Sequence, residues 1–174
     1  MNWYRLTHNE RAMTGFTDVL VVDYTELTAA ATTQVISHTL PTSVFLDATV
    51  IMRADKLFAN PNGSSALTAE VGHNGLTFSG GTLSADADGI VDAGAIEDGV
   101  SAGVIYGTRN ASSMFGVYDG FFLTNTGATH SRIDVLFTSA AGNLGDATNT
   151  LCTSGQLSVW LKVLRDTDFE LRQA

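Results

Sequence analysis

The residues of this chain best able to do chemistry are its carboxylates. Asp86, Asp88 and Asp92 surround Gly89, and Glu97 stands at the twelfth position counted from Asp86. Carboxylates two apart around a glycine turn can converge on a hard cation. The pattern fails at its fifth position, which is Ile90, and Glu97 lacks the ligands that would support it. The segment from Ser84 to Gly103 therefore reads as a long, solvated acidic loop with at most one helical turn. A hydrolytic carboxylate pair, Asp134 with Asp119, would need both acids held about 5–10 Å apart in a cleft. Both are more simply the outward positions of strands that need a polar face.

Other chemistry is harder to assemble. Cys152, the single cysteine, lies in Asn149-Thr150-Leu151-Cys152-Thr153 with no neighbour in sequence to lower its pKa. His8, His38, His73 and His130 are scattered, none at a metal-ligand spacing from another histidine or from Cys152, and each reads as a surface or turn residue. There is no Gly-x-Ser-x-Gly elbow, no Gly-rich loop ending in Lys-Ser/Thr and no His-Glu-x-x-His. The expectation is a protein that is not an enzyme, with no catalytic, cofactor-binding or metal residue.

Charge narrows the partners. Nine Lys and Arg against 18 Asp and Glu give a formal charge of −9 in 174 residues, a poor surface for neutralising phosphates. Nucleic acid is not expected as a partner. No Lys or Arg falls between Lys56 and Arg109, so the middle of the chain carries a negative field. The N-terminal MNWYRLTHNERAMTGF lacks the apolar run of a signal peptide, and no segment is apolar for long enough to suggest a membrane span. A soluble protein that does not engage membranes is expected.

The elements that would position these residues are strands. Ser43 to Ala54 alternates with period 2, Val44, Leu46, Ala48, Val50 and Met52 on one side and Phe45, Asp47, Thr49, Ile51 and Arg53 on the other. Gln156 to Leu164 does the same, with Leu157, Val159, Leu161 and Val163 opposite Ser158, Trp160 and Lys162. Further strands are expected at Phe16 to Tyr24, Thr32 to Leu40, Ala66 to Val71, Leu76 to Ser79, Ser113 to Thr124 and Ser131 to Ser139. Leu40-Pro41-Thr42 breaks two of them, because proline fixes φ and restricts its predecessor. A short helix is expected at Glu26 to Ala31, and no helix of three turns or more. About eight strands joined by Gly- and Asn-rich turns predict an all-β, antiparallel, jelly-roll-like β-sandwich, with an immunoglobulin-like sandwich as the alternative. The domain plan is an N-terminal arm at 1–15, flexible in the free subunit, followed by one sandwich domain at 16–174.

Trp160, Tyr106, Tyr118, Phe121 and Phe122 could form an aromatic platform for sugars, Trp160 being the best placed between Ser158 and Lys162. Large aromatics on strands more often fill cores or subunit interfaces, and that reading is preferred.

The stretch DYTELTAAATTQVISHTLPTSVFLDATVIMRADKLFANPNGSSALTAEVG, from Asp23 to Gly72, resembles a pattern of tailed-bacteriophage virion proteins. An acidic-Tyr entry at Asp23-Tyr24 leads to a strand, the Leu40-Pro41 corner, an alternating strand with the exit Leu57-Phe58, a turn over Asn60 to Ser65 and a strand ending in Val71-Gly72. Ser131 to Phe137, Ala140 to Leu144 and Gly155 to Val163 resemble the closing hairpin of that family. The resemblance covers roughly half the chain. It implies a head decoration, cement or fibre protein, located in the virion, often a homotrimer, whose partners are the major capsid protein or other virion proteins. The acidic 84–103 segment and the charged residues Met1 to Arg11 depart from the pattern. A carbohydrate- or receptor-binding module of a tail fibre is the alternative function.

Overall fold

The computed structural model describes residues 1–40, 44–59, 67–74, 76–78, 81–83, 85–97, 103, 105–107, 123–124 and 132–165. Its elements are strand β1 (Asn2–Arg5), helix α1 (His8–Thr14), β2 (Asp18–Asp23), a 3-10 turn (Tyr24–Glu26), β3 (Thr33–Thr39), β4 (Val44–Ala59) and β5 (Leu67–His73). There follow β6 (Leu76–Phe78), β7 (Gly81–Leu83), β8 (Asp86–Ala95), β9 (Ile105–Gly107), β10 (Leu123–Thr124), β11 (Arg132–Ser139) and β12 (Ser154–Arg165).

One sheet runs β1-β2-β12-β4-β10, with β9 also paired to β4, and the other runs β3-β11-β5-β8; β6 and β7 form a separate hairpin. With β1, β6, β7 and β9 set aside, the outermost strands in the sequence pair with each other, and so on inward: β2 with β12, β3 with β11, β4 with β10, β5 with β8, all antiparallel. Numbering those eight strands in chain order gives sheets 1-8-3-6 and 2-7-4-5, so every link except β5 to β8 crosses between sheets. This is the order of a hairpin rolled up on itself, a jelly roll. An immunoglobulin-like sandwich, with strand order ABED on one sheet and CFG on the other, does not share it.

The two layers are held by one apolar core. Leu157, Val159, Leu161 and Val163 of β12 are all fully buried, and β4 adds Val50, Met52 and Ala54 and, beyond an irregularity at the exposed Lys56, Phe58. From the opposing sheet come Leu67, Ala69 and Val71 of β5 and Ile133, Val135 and Phe137 of β11. The Phe58 and Phe137 rings meet across the sandwich with centroids 5.8 Å apart. Each large apolar side chain buried this way contributes roughly 1.5–3 kcal/mol.

Three expectations are corrected. Residues 86–95 of the expected acidic loop are strand β8, because Ile90 and Val91 in its middle and Ile96 just beyond it are buried in the core. Residues 1–15 are not a free arm: β1 lies antiparallel on β2 with Tyr4 opposite Val19 and Asn2 opposite Val21. Helix α1 follows, opened by a Thr7–Glu10 capping box and closed by Gly15 at φ 78°. The helix expected at Glu26 to Ala31 is only the 3-10 turn over Tyr24–Glu26. The side chain of Gln34 reaches back to the Glu26 carbonyl at 2.7 Å and accepts from the Ala29 amide at 2.9 Å, which fixes that segment in a non-helical path. Of the strand expected at Ser113 to Thr124, only β10 lies within the described residues. No described helix is long and apolar enough to cross a membrane.

Candidate interaction face

Asp86, Asp88 and Asp92 lie along strand β8, not on a loop turned about Gly89. In an extended strand carboxylates spread along about 3.3 Å per residue instead of wrapping around a point. Glu97 has a structural task, accepting the Leu67 amide at 2.9 Å where β5 begins. Among the described residues no group of three potential ligands comes together. Asp134 lies on the outer face of β11 beside Arg132, whose guanidinium reaches its two oxygens at 3.2 Å; Asp119 and His130 lie outside the described residues. His8 is an exposed residue of α1. His73, expected at the surface, is 2 % exposed on β5. Cys152 is buried, and burial pushes its thiol pKa up, the opposite of what a nucleophile needs.

The aromatics divide by face. Tyr106 pairs with Met52 and so looks inward, its hydroxyl donating to the Ala95 carbonyl at 2.8 Å. It leaves the expected platform. Trp160 looks outward, its indole N–H donating to Ser158 Oγ at 2.9 Å and its ring meeting the edge of Phe16 at 6.2 Å. Tyr118, Phe121 and Phe122 lie outside the described residues.

Register then shows what sequence spacing could not. Tyr4 stands opposite Val19, Val19 opposite Trp160, Trp160 opposite Ile51 and Ile51 opposite Gly107. One row of side chains thus crosses four strands on the outer face of the first sheet and ends at Gly107 on the fifth. The next outward row is Asn2, Val21, Ser158, Arg53 and Ile105. Tyr4 and Ile105, 51 % and 56 % exposed, sit at opposite ends of this surface. A sheet in a sandwich needs one apolar face; here the described outer face mixes half-buried Val21, Ile51 and Trp160 and exposed Tyr4 and Ile105 with Asn2, Ser158 and Arg53, while Val19 is buried among its neighbours. The Arg53–Asp55 pair at 3.3 Å and Lys162 supply its described charges near Trp160. Exposed apolar surface rimmed by polar groups marks contact with another molecule.

A buried polar cluster closes the side of the sandwich beside β1. Asp18 is fully buried and takes both Arg165 guanidinium nitrogens, at 2.5 and 3.1 Å, and the Trp3 indole N–H at 2.8 Å. Trp3 in turn stacks on His38 of the other sheet. These contacts tie the edge strand β1 to β2, β12 and β3.

No protein-family model, curated protein or solved structure matches the chain.

Proposed function

We propose that this protein is a non-enzymatic structural subunit of a tailed-phage particle, decorating or stabilising the capsid surface as a symmetric oligomer, with the major capsid protein or another virion protein as its partner. The observation that carries this reading is the exposed pair Tyr4 and Ile105 on the outer face of the first sheet of the jelly roll, with the half-buried Trp160 and Ile51 between them. The resemblance of Asp23 to Gly72 to virion proteins supports the same reading, as does the negative charge, which disfavours nucleic acid. Many copies on a shell make each weak contact effective, since attachment is then multivalent.

The second reading, a carbohydrate- or receptor-binding module of a tail fibre, draws on the same surface: Tyr4 and Trp160 are two aromatics in one row of the sheet. Co-sedimentation separates them. The wild-type protein is expected to sediment with capsid shells, and a Tyr4→Ser/Ile105→Ser variant, altered only at exposed positions, is expected to lose that binding while keeping its fold. Wild-type protein that ignores shells and binds glycans through Tyr4 and Trp160 would replace the first reading with the second.

A further inference from the structure

The sheet edges differ in how they are protected. Native proteins blunt an edge by making it short, charging it, adding proline or inserting a bulge. Strand β1 has four residues and ends in Arg5, β9 has three residues and β10 two. Strand β8 carries Asp86, Asp88 and Asp92 and pairs with β5 through register shifts. Strand β3 has none of these devices. Its sequence, Thr33-Gln34-Val35-Ile36-Ser37-His38-Thr39, holds no Pro, Lys, Arg, Asp or Glu, and all seven residues pair with β11 in unbroken register. Among the described strands β11 is its only partner.

This edge is also held ready. The Gln34 side chain is fixed by Ala29 and Glu26 at one end, and His38 lies under Trp3 at the other. Val35 is 51 % exposed beside Leu136, with which it pairs.

We infer that β3 is the site at which two copies of this chain join, edge to edge and antiparallel, merging their second sheets into one continuous sheet across a twofold axis at Ile36. The occupant is a second copy because the strand is complementary to itself. The axis sets Thr33 against Thr39, Gln34 against His38 and Val35 against Ser37. In a chain of formal charge −9, this strand can meet its own copy with no like charges opposed. The two Val35 side chains then lie diagonal to each other, each flanked by its Leu136, so the exposed valines cover one another. The contact is isologous, and it differs from the threefold arrangement implied by the resemblance.

Light scattering on the purified full chain tests it. The wild type is expected at about twice the 18.4 kDa chain mass. Val35→Lys/Ser37→Lys sets lysine against lysine across the axis at exposed positions, and is expected to reduce the mass to that of one chain with an unchanged circular dichroism spectrum. Mixing this variant with Val35→Glu/Ser37→Glu is expected to restore the doubled mass. A wild type that is monomeric or trimeric overturns the inference, as does a dimer that survives the double lysine variant or a mixture that stays monomeric. A dimer lost with capsid binding retained separates this contact from the proposed role, as does the reverse.

Discussion

The indole of Trp3 lies stacked on the imidazole of His38, with ring centroids 4.7 Å apart and planes 25° from parallel. Trp3 belongs to the edge strand of one sheet and His38 to the edge strand of the other, so a single ring pair spans the open side of the sandwich.

The stack makes stability depend on pH. Burial, followed by the nearby N-terminal charge, lowers the pKa of His38 from its ordinary value. The unfolded chain, with an ordinary pKa of about 6.5, then binds a proton that the folded chain refuses. Stability from this site is complete above that pH and is lost as pH falls through it towards the folded value. The urea midpoint of the wild type is expected to fall between about pH 7.5 and 5.5, and His38→Phe, which keeps an aromatic ring against Trp3, is expected to flatten that slope.

The Asp18–Arg165 pair beneath Trp3 is expected to be costly to break from either side. Arg165→Ala leaves a fully buried carboxylate without its guanidinium, for a loss of about 3–5 kcal/mol. Replacing both partners with apolar residues, Asp18→Leu with Arg165→Met, is expected to recover most of it. Denaturant titration of the two variants against the wild type checks this, and equal losses in the single and double variants would contradict it.

Much of this architecture was legible in the sequence. Leu157 to Val163 alternates without interruption, and the structure buries those residues and widens the strand only to Ser154–Arg165. Strand β8 escaped notice because its charges dominate the eye and because Ile90 and Val91, both buried, are adjacent and break the period of two beside a register shift. The N-terminal helix did have a signal in Thr7-His8-Asn9-Glu10 and Gly15, a capping box with a glycine stop, hidden among charged residues. The row from Tyr4 to Ile51 had none. Its members come from strands far apart in the chain, and their alignment is fixed by register, which no local period records.

Three glycines rank by what surrounds them. A Cβ on Gly145 would lie 2.3 Å from the Thr28 backbone, which cannot rotate away. On Gly155, at φ 146°, it would lie 2.4 Å from the Phe58 ring, and on Gly94 2.5 Å from the Tyr106 ring. Alanine is expected to cost roughly 1–3 kcal/mol at Gly94, and more at Gly145 and Gly155, in thermal unfolding. The opposite order would contradict these contacts.

The Asp146 carboxylate organises the turn before Cys152. It accepts from the Thr148 and Asn149 amides, at 2.9 and 2.6 Å, and from the Thr148 hydroxyl at 2.8 Å. These bonds hold its pKa well below the usual carboxylate range. Because the folded pKa is depressed, the contribution is present above the unfolded value of about 3.9 and is lost as pH falls through the lower folded value. Carboxyl-carbon NMR titration is expected to show Asp146 still ionised below the ordinary aspartate value of about 3.9, and Asp146→Ala is expected to raise amide exchange over Thr148–Leu151.

The central claim is the proposal that this chain is a structural component of a phage particle, and quantitative mass spectrometry of virus particles purified from the culture that produces it tests that most directly. The account predicts the chain in many copies per particle, in fixed ratio to the major capsid protein and retained through density-gradient purification. Its absence from purified particles, with the protein found only in the lysate, would contradict it.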